Sequence, residues 1–176
     1  MFGREEAPEI ELKKLFWEEL SDSPFVMLGL QDVEDSRTRP MTAQVDVPDG
    51  GDRSDGGPIY FFASTTEHLV TGMGQSHRAV ATYAAKGHKL FAHIHGTLSL
   101  SSDRAVIDRL WNPVVASWYR LGKDDPDLAL IRFDADSANI WKAETAATLK
   151  AAAMKALFDA DPGKQHQSEN RADVEL

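Results

Sequence analysis

His93 and His95 stand two residues apart in a stretch of strand character, so both rings face the same way. Such a pair could offer two ligands to a metal, but Thr97 and Ser99 continue the row as a polar strand face. No third ligand lies nearby in sequence, and no metal site is expected. Arg37 and Arg39 are also one strand period apart. Two guanidiniums so placed can converge on an anion such as a phosphate; the alternative is a solvated pair answering Asp32, Glu34 and Asp35. Pro40 cannot donate a ladder hydrogen bond, which points to a sheet edge or the rim of a site. Phe61-Phe62-Ala63-Ser64-Thr65-Thr66 ends a strand and opens a helix, where hydroxyls and free N–H groups either bind phosphate or simply cap the helix. Trp111, Trp118, Tyr119 and Trp141 gather late in the chain. Trp118 and Tyr119 precede the loop Gly122-Lys123-Asp124-Asp125-Pro126, and loops offer their aromatics to partners. The signatures of nucleophile-elbow hydrolases, P-loop proteins and zinc proteases are missing. Gly72-Met73-Gly74 resembles the opening of a dinucleotide fingerprint, but it follows a helical segment rather than a strand.

These residues need elements to hold them. Leu12, Leu15, Phe16 and Leu20 recur at helical spacing, which predicts a helix over residues 9–20, stopped by Ser21-Asp22-Ser23-Pro24. An apolar run of strand length follows over residues 24–31. Met41, Ala43, Val45 and Val47 alternate with polar residues and predict a half-buried strand over residues 39–47. The Gly- and Pro-rich stretch 48–58 is a loop, and residues 59–63 are a strand. Thr65 or Thr66 is placed to cap a helix reaching about Gln75. Residues 79–85 and 90–100 read as a hairpin around Lys86-Gly87-His88-Lys89. Residues 103–110 are helical in pattern, with a short helix starting at Asn112 or Pro113. Residues 128–133 and 138–143 read as two strands around Asp134-Ala135-Asp136-Ser137, and the Ala-rich residues 145–158 as a helix. About seven short strands with inserted helices point to an antiparallel barrel: an all-β core with peripheral helices, α+β in class. Residues 1–160 form one domain with N- and C-terminal helices, and residues 161–176 are expected to be a disordered acidic tail.

The whole chain has 176 residues, 28 acidic against 19 basic, and a formal net charge of −9. That length suits one domain with an adequate core. The acidic balance argues against non-specific nucleic-acid binding. The absence of cysteine removes disulfides, thiolate nucleophiles and iron–sulfur clusters. No apolar run approaches a membrane span, and the charged N-terminus has no signal-peptide pattern. A cytoplasmic location and no membrane partner are the expectations.

The order of the motifs carries a resemblance. Arg39-Pro40-Met41 on an early strand comes first, then Ile59-Tyr60-Phe61-Phe62-Ala63-Ser64-Thr65 leading into a helix. His95-Gly96-Thr97-Leu98 follows, and last a segment from Trp111 to Trp141 containing Gly122-Lys123-Asp124-Asp125-Pro126-Asp127. Over about residues 12–144 the chain resembles the pyridoxamine 5′-phosphate oxidase-like superfamily, in its general-stress-protein branch of FMN-binding split barrels. The resemblance implies a six-stranded antiparallel split β-barrel that forms a homodimer, with FMN in the groove between subunits. It implies that Arg39, Pro40 and Met41 lie along the flavin or its phosphate. Phe62, Ala63, Ser64 and Thr65 would line the ribityl chain and phosphate. Gly96 and Thr97 would approach from the partner side, and Trp118, Tyr119 and Trp141 would wall the ring. Where relatives carry a Lys or Arg for the phosphate, this chain has His68. The arginine motif of the pyridoxamine phosphate oxidases proper is missing from the C-terminal end, so oxidation of pyridoxamine phosphate itself is not expected.

Two functions follow from the resemblance. One is an FMN-dependent oxidoreductase linked to stress, with a small-molecule substrate or electron donor that the sequence does not specify. The other is a flavin-binding stress protein or sensor without turnover. A split barrel holding haem or a deazaflavin is the further alternative.

Overall fold

Period-two alternation decides which face of each strand is buried. A computed structural model describes residues 6–34, 37–47, 50–143 and 171–176. In chain order the strands are β1 (Phe25–Leu30), β2 (Arg39–Thr42), β3 (Gln44–Val45), β4 (Ile59–Ser64), β5 (Ser76–Ala84), β6 (Leu90–Ser101), β7 (Leu128–Lys142) and β8 (Arg171–Glu175). The helices are α1 (Glu6–Asp22), α2 (His68–Met73), α3 (Arg104–Leu110) and α4 (Pro113–Ala116). On β6, Leu90, Ala92, Ile94 and Leu98 are buried, while His93, His95, Thr97 and Ser99 alternate with them and are half-buried.

The strands form one antiparallel sheet in the order β2-β1-β5-β6-β7-β4-β3, with β8 off this path beside β7. The path thus has seven strands, and an eighth beside them, rather than six. Its first and last strands, β2 and β3, are separated in the chain by Ala43 alone. One short segment therefore leaves the β1 edge and joins the β4 edge, which curls the sheet into a split barrel. The Ala43 N–H donates to the Pro24 carbonyl at 2.7 Å as the chain crosses. This is why the strand expected over residues 39–47 is interrupted: it changes partner at its middle.

The interior holds Val26, Leu28, Ile59, Phe61, Ala81, Ile94, Ile131, Phe133 and Ile140, with Leu12, Phe16 and Leu20 of α1 in the same cluster. Phe16 meets Tyr83 edge to face at 6.0 Å, and the Tyr83 hydroxyl donates to the Glu19 carbonyl at 2.7 Å. Burial, with Glu19 and Asp22 nearby, pushes that phenol up to about 12. A smaller cluster of Tyr60, Val106, Ile107 and Leu130 seats α3 on the outer face of β4 and β7.

Residues 128–142 are one continuous strand, not two around Asp134-Ala135-Asp136-Ser137. Its first part pairs with β4, its last part with β8, and its length with β6. The register slips at His95/Gly96, where Gly96 pairs with Ala135 and His95 with Ser137. A Cβ at Gly96 would collide with the Asp134 carbonyl and the Phe133 ring, so the close approach of β6 and β7 needs glycine. The tail expected to be disordered is in part a strand. Arg171–Glu175 pairs with β7 and buries Ala172 and Val174 in the main core. Its alternation was hidden in a polar, acidic context. The helix expected over residues 145–158 lies outside the described residues.

Candidate functional site

The outward face of β4 begins the site. Phe62 sits on the face opposite Phe61 and meets Trp111 edge to face at 6.0 Å. Trp111 in turn lies 6.0 Å from Tyr119. The Tyr119 hydroxyl donates to the Ala63 carbonyl at 2.8 Å, tying the turn after α4 to the end of β4. Burial, with Glu67, Asp127 and Asp125 close by, pushes the Tyr119 phenol up to about 12, so it remains a hydrogen-bond donor at neutral pH.

The sequence builds this wall from local capping. Asn112 caps α4, its side-chain oxygen accepting from the N–H groups of Val114 (3.0 Å) and Val115 (3.1 Å), with Pro113 in the first turn. Asp125 accepts from the N–H groups of Leu121 (3.1 Å) and Asp127 (3.0 Å). Those bonds hold its carboxyl below the usual range. The Asp46 carboxylate takes a two-pronged bond from Arg109, at 3.1 and 2.6 Å, and locks α3 to the chain after β3.

Between this wall and the β2–β3 crossing lies a groove of about 530 Å³. Of the expected site residues it brings together Arg39, Pro40, Met41, Phe62, Ala63, Ser64, Trp118 and Tyr119. That volume is within the range of small-molecule sites. Trp118 and Val114 line it while remaining 77% and 70% exposed. Pro40 lies on β2, a strand whose sole sheet neighbour is β1, as its missing N–H requires.

Other expected residues lie elsewhere. Thr65 is not in the lining; it and Ser64 donate their hydroxyls to Asp127, at 3.0 and 2.7 Å. A phosphate at that spot would face a carboxylate. Helix α2 starts at His68, later than a Thr65 or Thr66 cap implies. His68 lines a second cavity, of about 600 Å³, with Leu30, Val33, Arg37 and Thr71. Arg39 lines both cavities. Gly96 and Thr97 are on β6, outside the groove lining, where Thr97 accepts from Arg78 at 3.0 Å. Trp141 is on β7, with the Arg171 guanidinium 5.6 Å above its ring. Among the described residues no three histidine or acidic side chains gather as a metal site requires. No helix among them is long and apolar enough to cross a membrane.

Sequence reasoning missed Glu67 and Asp127, both in the lining. Glu67 forms an ion pair with Arg39, while the Arg39 Nε is buried without a hydrogen-bond partner among the described residues. Asp127 follows the Asp-Asp-Pro turn, but nothing local marks it as the partner of Ser64.

Comparison with known proteins agrees with this fold. The chain is similar to the general stress FMN/FAD binding protein of Xanthomonas citri, with 48% identity and a TM-score of 0.70 over 77% of this chain and 92% of that one. A protein of Xanthomonas campestris pv. campestris named for the general stress family is 49% identical, with a TM-score of 0.70 over 77% of this chain and 90% of that one. One from Jannaschia sp. CCS1, named for general stress protein 26, is 29% identical with a TM-score of 0.74, covering 94% of this chain and 99% of that one. No curated protein matches. The family described as "Pyridoxamine 5′-phosphate oxidase like" matches residues 11–160, and with that span and this split barrel the chain belongs to it.

Proposed function

We propose that this chain is a cytoplasmic flavoprotein that binds FMN without a covalent bond and serves as a flavin-dependent oxidoreductase in a stress response. The observation that carries the reading is the groove itself. Phe62, Pro40 and Trp118 offer flat apolar surface beside Arg39, whose Nε–H is buried with no hydrogen-bond partner among the described residues. An aromatic ligand with an anionic end answers both features. A bound flavin supplies hydride or electron transfer. The protein's part is to bind and orient. Arg39 holds the anionic end, Phe62 and Trp118 flank the ring, and the Tyr119–Ala63 hydrogen bond keeps the wall in place. With Ser64 and Thr65 committed to Asp127, the phosphate belongs on the Arg39 side of the groove, towards His68.

A homodimer completes the site. Trp118 and Val114 are large apolar side chains of the groove lining left exposed, and a second copy would cover them. Gly96 and Thr97 could meet the flavin in this arrangement only from the second subunit, because they lie outside their own groove lining.

A second reading, flavin binding without turnover, is favoured by one observation. The carboxylates lining the groove are committed to Arg39 and to the Ser64 and Thr65 hydroxyls, and Tyr119 keeps its proton. Bleaching of bound flavin by NAD(P)H separates the two readings.

The test of binding is a titration of FMN and riboflavin against the wild type and Arg39→Ala. A charge-assisted hydrogen bond of about 1.5–3 kcal/mol sets the scale. FMN should weaken roughly tenfold to a hundredfold and riboflavin much less. Equal losses, or none, refute the phosphate role of Arg39.

A further inference from the structure

Glu67 is a charged residue of the groove that flavin binding does not call for. It occupies the N-cap position of α2, where Ser, Thr, Asp or Asn is preferred because a short side chain can accept from the first turn. Glu67 makes no such bond; its carboxylate pairs instead with Arg39 Nη1. The pair is partly buried, with Arg39 37% and Glu67 24% exposed, so water screens it less than a surface pair. The pairing uses one arm of the guanidinium and leaves Nε–H buried with no hydrogen-bond partner among the described residues. A phosphate could take both arms at once. Among the described residues the charges lining the groove are those of Arg39, Glu67 and Asp127, so one cation there faces two carboxylates.

Resting on the flavin reading above, we propose that Glu67 is an internal competitor for the ligand's phosphate. It occupies Arg39 when no ligand is present, and a phosphorylated flavin must displace it. Riboflavin, which needs nothing from Arg39, binds with the pair intact. Glu67 thus sets how strongly the groove prefers FMN to riboflavin, and holds that preference below what Arg39 alone would give. A merely structural ion pair would instead contribute to stability and leave the ratio alone.

The experiment titrates FMN and riboflavin against the full-length wild type, Glu67→Gln and Asp127→Asn, following flavin fluorescence, with a melting curve for each protein. Asp127→Asn removes the same charge from the same groove, keeps an acceptor oxygen for Ser64 and Thr65, and leaves the Arg39–Glu67 pair in place. The expected result is that Glu67→Gln tightens FMN about tenfold, the scale of one charge-assisted hydrogen bond, and changes riboflavin by less than about twofold. Asp127→Asn should tighten FMN clearly less. An unchanged FMN-to-riboflavin ratio in Glu67→Gln overturns the proposal. Equal gains in the two variants also overturn it, because general charge would then be the cause. Should Glu67→Gln not fold, Glu67→Asp, with a shorter reach to Arg39, answers the same comparison and should also favour FMN. If neither flavin binds the wild type, the flavin reading itself fails and this inference with it.

Discussion

Phe61 and Phe62 are neighbours with the same side chain, yet they belong to different regions. Phe61 is 1% exposed inside the barrel, tilted against Phe133 at 6.5 Å. Phe62 points the other way, into the groove and against Trp111. The interior cluster is apolar and buried, whereas the groove mixes aromatic surface with Arg39, Glu67 and Asp127. One strand thus supplies the fold with one face and the candidate function with the other. Substitutions inward should cost stability, and substitutions outward should cost binding.

The largest expected effect breaks the comparison from the inside. Phe61→Ala should destabilise the protein by about 3–5 kcal/mol, the usual cost of removing a fully buried phenylalanine. Denaturant unfolding measures it, and a loss under about 1 kcal/mol would mean that the barrel interior can collapse around the gap.

Ending the chain after residue 170 tests whether β8 belongs to the interior. Ala172 and Val174 are buried there, and Lys13 of α1 donates to the Glu175 carbonyl at 2.8 Å. Burying one valine contributes about 1.5–3 kcal/mol, offset in part by the entropy of ordering the strand. The shortened chain should lose about 2 kcal/mol, and an unchanged melting temperature would assign β8 no packing role.

Trp118→Ala sharpens the comparison from the groove side. The residue is so exposed that stability should change by less than about 0.5 kcal/mol. FMN and riboflavin should both weaken about three- to tenfold, since an aromatic contact carries about 0.5–1.5 kcal/mol and touches no phosphate. If the proposed homodimer forms through this face, light scattering should show it weakened as well. A large loss of stability would place Trp118 with the interior.

The smallest effect concerns the outer face of β6. Burial, and then the neighbouring His95, hold the His93 imidazole below its ordinary value of 6.5. The unfolded chain therefore binds the proton more readily than the folded one. Stability is full above about pH 6.5 and falls as pH drops through the lowered folded value. His93→Gln should flatten the fall in melting temperature between pH 7 and pH 5, by on the order of a degree or two. An equally steep fall in the variant would assign it to other groups.

Much of this organisation is local and could be read from the chain. Helical spacing located α1, the hairpin turn at Lys86–Lys89 located β5 and β6, and Pro40 marked an edge strand. The apolar and aromatic half of the groove, from Arg39 to Met41 and from Phe62 to Ser64 with Trp118 and Tyr119, was legible from motif order. The acidic half was not. Ser64 and Asp127 are 63 residues apart, and no periodicity links a hydroxyl to a carboxylate at that distance. Strand β8 was missed because its alternation is short and its context acidic, so composition outweighed pattern.

The sequence by itself determined that Met41, Ala43 and Val45 face inward, because side chains alternate whatever the strand pairs with. It also determined that one arginine stands on an edge strand beside a proline. The tertiary structure alone decided that Arg39 meets Glu67, that Asp127 takes the Ser64 and Thr65 hydroxyls, and that the chain crosses at Ala43 from one sheet edge to the other. Each of these depends on how far the sheet curls, and that curl is a property of all the strands packed together around one core.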